Sequence, residues 1–217
     1  MLNPLSFLQE GDVFPDPSHA SKEGLLAWGG ELSVSRLRTA YCSGIFPWFN
    51  EGNPVLWWSP DPRCVIFPEQ FYFSKSMRRF TRRYSVHFDE AFGAVVRLCA
   101  SRPSTWITPV MQEAYEALHV KGMAHCVAVR EKGELVGGVY GVCVGGIFCA
   151  ESMVSLRPNA SKVALWALFT VFNRSLVLLD AQVPNPHLMR LGAQLMPRNE
   201  YLDYVAREKN NPCGVGV

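Results

Sequence analysis

The sequence predicts an α+β fold built around a central mixed sheet, and three observations predict it. Residues 135–144 and 147–150 are apolar runs flanking Gly145-Gly146, a pairing that reads as a hairpin of two buried strands. An apolar helix pattern over residues 163–172 follows and leads into another buried run, residues 176–179, which adds a crossover and a parallel strand. Both strand regions stop at a polar group, Glu151 in the first and Asp180 in the second, with Gln182 two residues on. Burying a charge is costly unless it is paired. In sheets of this kind ligands bind beyond the carboxyl ends of strands, so neighbouring parallel strands would bring Glu151 and Asp180 to one cleft. Alternation along a strand turns Asp180 and Gln182 the same way.

Composition sets the outer limits. The chain has 217 residues, 48% hydrophobic and 18% charged, with a net charge of +2. That is enough to bury a large core and too little charge to dictate a partner. There is no basic leader with a long apolar segment and no 18-residue apolar span, which points to a cytoplasmic chain without a membrane partner. The seven cysteines show neither C-x-x-C nor metal-ligand spacing, most sit in apolar runs, and no metal or cofactor is expected.

Residues 1–30 read as a Pro/Gly-rich loop, and Ser33 caps a short helix ending near Gly44. Residues 44–63 hold three Trp, two Phe and four Pro, an irregular segment suited to pinning a loop or lining a pocket. Short strands follow at 64–67 and 71–73. Ser74 then caps a helix, KSMRRFTRRY, whose Lys75, Arg78, Arg79, Arg82 and Arg83 share one face opposite Met77 and Phe80; no acidic residue interrupts them, which suits a polyanion. Asp89 caps a helix carrying Phe88, Phe92, Val95, Val96 and Cys99. Thr108-Pro109 starts another, with Met111, Ala114, Tyr115 and Leu118 inward and Gly122 as its stop. Residues 125–129 form a strand, a helix lies around 201–205, and the tail NNPCGVGV reads as loosely ordered.

The succession GIFPWF (44–49), LWWSPDPR (56–63), SMRRF (76–80), TWIT (105–108), GGVYGV (137–142), FCAESM (148–153), NASK (159–162), LDAQV (179–183) and LGA (191–193) resembles the leucyl/phenylalanyl-tRNA–protein transferase family. The family commonly has Asp-Cys-Gln where this chain has Asp180-Ala181-Gln182. The resemblance implies a small N-terminal domain (1–60) followed by an acetyltransferase-like (GNAT-like) catalytic domain (61–217). It implies transfer of Leu or Phe, and less readily Met, from aminoacyl-tRNA to proteins beginning with Arg or Lys, marking them for N-end rule degradation.

It further implies that Asp180 hydrogen-bonds Gln182, whose amide oxygen guides the attacking amine, while Glu151 helps hold the cationic acceptor residue. Trp48, Trp106, Val139, Phe148 and Phe172 are the candidates for an apolar donor pocket. Lys75, Arg78, Arg79, Arg82 and Arg83 would hold tRNA phosphates. Two other activities compete. An acyl-CoA-dependent N-acetyltransferase usually needs a glycine-rich pyrophosphate loop, and RPNASK (157–162) has no glycine. A non-catalytic tRNA- or degron-binding module would have no use for a closed donor pocket.

Overall fold

The structure, a computed structural model, describes residues 5–215. The N-terminal segment is not the loop its Pro and Gly content suggests. Within residues 5–30 it forms β1 (Ser6–Leu8) and β2 (Leu25–Gly29), parallel to each other; residues 1–4 lie outside the described part. Helix α1 (Val34–Tyr41) starts where expected, with the Ser33 hydroxyl accepting the Arg36 amide at 3.2 Å. The aromatic segment after it supplies two strands, β3 (Phe46–Pro47) and β4 (Leu56–Trp58), giving a small sheet ordered β1-β2-β4-β3. Trp57 explains why this segment is rigid. It is fully buried, donates its indole N–H to Gly29 O at 2.9 Å and meets Phe14 edge-on.

The second sheet begins with β5 (Arg63–Ile66). Residues 71–73 are not a strand: Phe71 and Phe73 stack on Phe169 and Trp166 instead, and the Tyr72 amide bonds Leu191 O. The basic segment is not one helix but α2 (Lys75–Arg78) tightening into a 3₁₀ turn over Arg79–Arg82, with Met77 and Phe80 inward as expected. A further strand, β6 (Ser85–Phe88), takes up Phe88, and α3 (Phe92–Ala100) follows. Asp89 does not cap that helix; it bonds the Cys126 amide and the His125 ring. Helix α4 (Pro109–Val120) keeps its expected cap and inward face.

β7 (Ala124–Glu131), β8 (Glu134–Val144) and β9 (Ile147–Ser155) make the long meander, turning at Gly145-Gly146 between the last two. Helix α5 (Ala160–Val171) crosses to β10 (Leu178–Gln182), parallel to β9. α6 (Pro186–Met189), β11 (Gln194–Met196) and α7 (Arg198–Glu208) complete the chain. The mixed sheet runs β11-β5-β10-β9-β8-β7-β6, so the expected fold class holds. As far as Val215 the tail is better anchored than its composition suggests: the Gly214 amide bonds Gly145 O and Val215 is buried; residues 216–217 lie outside the described part.

Helix α5 packs on one face of this sheet, and α3 and α4 on the other. The small sheet is built entirely from residues before 60, yet Leu26, Leu37, Tyr41 and Trp57 belong to the same apolar cluster as Val65, Tyr115, Tyr140 and Tyr201.

Candidate active site

Two bulges on adjacent strands shape the site. Opposite β8, the register shifts so that Tyr140 pairs with Ser152 and Gly141 with Ala150, leaving Glu151 as the extra residue. Opposite β5, Asp180 pairs with Val65 and Gln182 with Cys64, leaving Ala181 as the extra one; Gln182 takes φ 62°. Bulges re-aim side chains next to sites of this kind. Glu151 therefore lies within β9, not at its end as the sequence suggested. A side chain at Gly141 would meet Cys149 O at 2.3 Å, so the bulge requires glycine there.

Glu151 is 6% exposed, and its oxygens accept three hydrogen bonds. Oε1 accepts from Tyr41 Oη at 2.7 Å and Gln182 Nε2 at 2.8 Å, and Oε2 accepts from Tyr115 Oη at 2.7 Å. Burial raises the carboxyl pKa to about 7, helped by the Asp180 charge and opposed by the donated hydrogen bonds from Tyr115, Tyr41 and Gln182. Burial and the Glu151 charge push both tyrosine hydroxyls well above their ordinary range.

Asp180 has a different setting. It is completely buried and borders neither of the two hollows beside Glu151; Arg63 forks onto it, Nε to Oδ1 at 2.8 Å and Nη2 to Oδ2 at 2.7 Å. Tyr201 Oη donates to Oδ2 and the Gln182 backbone amide to Oδ1. The Arg63 guanidinium lies over the rings of Phe46 and Tyr201 and bonds Gly44 O. Burial works against its charge, but the Asp180 carboxylate outweighs that and holds Arg63 protonated. The expected Asp180–Gln182 hydrogen bond is present through the Gln182 main chain, while the Gln182 side chain turns to Glu151.

Two neighbouring hollows open beside this network. The smaller, about 140 Å³, lies against Phe46, Pro47, Trp48 and Val183; the larger, about 270 Å³, against Val139, Met153, Leu165, Leu179 and Leu188. Trp106, Glu151, Ala181 and Gln182 border both, so the carboxyl–amide pair sits at their divide. Trp48, Trp106 and Val139 are thus at the cleft. Phe148 and Phe172 are not: both belong to the core against α5, Phe148 completely buried and Phe172 edge-on to Phe88. His187 also borders the larger hollow, its pKa lowered by burial and the nearby Lys162.

The basic segment lies elsewhere. Arg78, Arg79 and Arg82 border a shallow depression with Phe73 and Trp166. Arg83 leaves this group and pairs with Glu131 at 2.6 Å, an acid contributed by β7 that the local sequence does not show. Lys75 is exposed and borders no part of the depression.

Comparison with known proteins decides the family. A family model described as leucyl/phenylalanyl-tRNA protein transferase matches residues 65–206, and its N-terminal domain model matches residues 30–61. A protein of that name from Klebsiella pneumoniae (strain 342) is 51% identical over 201 residues, covering 89% of this chain and 86% of the relative. One from Pseudomonas fluorescens (strain Pf0-1) is 46% identical over 218 residues, covering 96% of each. This chain belongs to the leucyl/phenylalanyl-tRNA–protein transferase family.

A GCN5-related N-acetyltransferase from Kribbella flavida is similar over 73% of this chain and 59% of that chain, at 14% identity and a TM-score of 0.36, too low a likeness to add to the assignment. The sequence reading did not assign to the site Arg63, the last residue of LWWSPDPR (56–63), or Tyr41, Tyr115 and Tyr201, which lie outside the family's motifs; these four hold the polar site residues in place. One signal was available for the first of these: an Arg heading the otherwise apolar strand RCVI is a cation that must find a buried partner.

Proposed function

We propose that this protein transfers Leu or Phe, and less readily Met, from aminoacyl-tRNA to the N-terminal Arg or Lys of an acceptor protein. The observation that carries the reading is the Glu151–Gln182 pair at the divide of a two-lobed cleft. The larger lobe takes the donor side chain against its apolar wall of Val139, Met153, Leu165, Leu179 and Leu188. Such a lobe distinguishes substrates differing by a methylene by only about 1–3 kcal/mol, which suits a donor range of Leu, Phe and Met. The smaller lobe, between Trp48, Trp106 and Glu151, takes the acceptor terminus.

Arg63 already neutralises the completely buried Asp180, whose part is positioning, through the Gln182 main chain. The Gln182 amide nitrogen is directed to Glu151, which leaves the amide oxygen to orient the incoming amine. An α-ammonium has a pKa of about 7.7–8.0, and a carboxyl titrating near 7 is well matched to take its proton. The neutral amine adds to the ester carbon and the bond to the ribose oxygen breaks. Two protons leave the nitrogen in all. The one Glu151 took from the ammonium goes to the ribose oxygen as that bond breaks, and the one shed after addition is taken up by Glu151 and released to solvent. The ester is already activated, so alignment in the cleft supplies much of the acceleration.

Arg78, Arg79 and Arg82, with Lys75, hold tRNA phosphates; Arg83, tied to Glu131, contributes less. Residues 1–60 and 61–217 are read as the N-terminal and catalytic domains, the chain works in the cytoplasm, and its products enter N-end rule degradation. Among the described residues no helix is long and apolar enough to cross a membrane. Incubation with Phe-tRNA and an Arg-initiated peptide should give a peptide heavier by one phenylalanyl residue. Absence of that product, with tRNA binding intact, would leave a binding module as the function.

A further inference from the structure

A second cluster of reactive side chains lies apart from the cleft. His125 on β7, Cys143 on β8 and Cys213 beyond α7 place one imidazole nitrogen and two sulfurs within 4.8 Å of one another. None of the three borders either lobe of the cleft. All seven cysteines are free, and only here do two of them meet a histidine among the described residues.

The surroundings of His125 are specific. The ring is 8% exposed, and its Nδ1 faces Asp89 Oδ2 at 2.7 Å. Asp89 is itself fixed, in the left-handed region at φ 56° and with Oδ1 accepting the Cys126 amide at 3.0 Å. The other nitrogen, Nε2, meets Cys213 Sγ at 3.4 Å and Gly122 O at 3.2 Å. A carboxylate behind a histidine fixes the tautomer that leaves the far nitrogen's lone pair for a metal. Bond lengths of about 2.0 Å to nitrogen and 2.3 Å to sulfur put ligand atoms of a tetrahedral zinc about 3.5–3.8 Å apart. The Nε2–Cys213 separation already fits, and all three ligand atoms lie within 4.8 Å of one another.

Cys143 and Cys213 border an open depression of about 1220 Å³, rimmed by Arg38, Lys121 and Lys209. A fourth ligand, water or an anion, could enter from that side. Two thiolates balance the charge of a divalent ion, and an N₁S₂ donor set favours zinc over hard cations such as Mg²⁺ or Ca²⁺.

We propose that His125, Cys143 and Cys213 bind Zn²⁺, with Asp89 as the outer carboxylate and the fourth position open to the depression. Binding would release the thiol protons. Nothing in this site depends on the transfer reaction.

The test uses the full-length protein, reduced, freed of metal and titrated with Co²⁺ as a spectroscopic probe. One equivalent should give a thiolate-to-cobalt charge-transfer band and the intense visible bands of a tetrahedral site, both bleached by Zn²⁺. The exposed Cys213→Ser substitution should weaken the charge-transfer band and lower affinity, and Asp89→Asn should lower affinity by about 10–100-fold. Cys42→Ser, at another cysteine bordering the same depression, should change neither. Zn²⁺ should raise the thermal midpoint of the wild type but not that of Cys213→Ser. No sulfur-to-cobalt band in the reduced wild type, or an undiminished one in Cys213→Ser, would overturn the site.

Discussion

Glu151 and Asp180 are both carboxylates on the same pair of strands, and their surroundings give them opposite tasks. Glu151 is held by neutral donors and borders the cleft, so Glu151→Gln should leave the fold intact while lowering transfer by about 10²–10⁴-fold. Single-turnover transfer and thermal melting on the same preparation check this; retained activity would remove Glu151 from the chemistry. Asp180 is paired with a completely buried Arg63. Asp180→Asn leaves that cation uncompensated and should cost about 3–5 kcal/mol of stability, read from the denaturant midpoint. A stability loss below about 1 kcal/mol would mean that Arg63 finds another partner or water. Sequence spacing could mark Glu151, Asp180 and Gln182 as unusual because each interrupts an apolar run. It could not assign Arg63 to Asp180 or Tyr41 to Glu151, contacts that span 117 and 110 residues and exist only once the sheet has formed.

At the scale of elements, what could be read in advance depended on length and local patterning. The β8–β9 hairpin and the inward faces of α3 and α4 carry their own periodicity and were legible. β1, β3 and β4 are two or three residues long, and β1 pairs with a strand some twenty residues away, so no local alternation betrays them. The bulges were hidden for a related reason: a register shift belongs to a strand pair, not to either strand alone. The basic segment was legible in charge but not in shape. Because Arg83 is bound to Glu131, replacing Arg78, Arg79 and Arg82 together should reduce the log–log salt slope of tRNA binding by about 2–3, whereas Arg83→Ala should move it less than any one of them. Equal slopes for the triple variant and the wild type would move the tRNA surface elsewhere.

Across the whole molecule, the cleft lies at a seam: Trp48 and Tyr41 come from the N-terminal part, and Glu151 and Gln182 from the large sheet. The two parts share one apolar cluster, so Trp57→Ala should cost about 3–5 kcal/mol and lower a single unfolding transition instead of splitting it in two; fluorescence and circular dichroism midpoints that separate would contradict a shared core. The same burial makes overall stability depend on pH. A carboxyl like Glu151 ionises near 4.5 in the unfolded chain but near 7 in the native one. Below about pH 4.5 both states hold the proton, and Glu151 has no effect. Between 4.5 and 7 the unfolded state has released it while the native state keeps it, so the native state loses ground as pH rises; above 7 the loss is complete. At 1.36 kcal/mol per unit, the full change is roughly 3 kcal/mol. Glu151→Gln has no proton to lose, and its stability relative to wild type should therefore climb from pH 5 to pH 8 and then level off. Urea titrations at each pH measure that difference directly. A difference that stays flat, or climbs in the opposite direction, would mean that the tyrosines and Gln182 stabilise the carboxylate enough to cancel its burial.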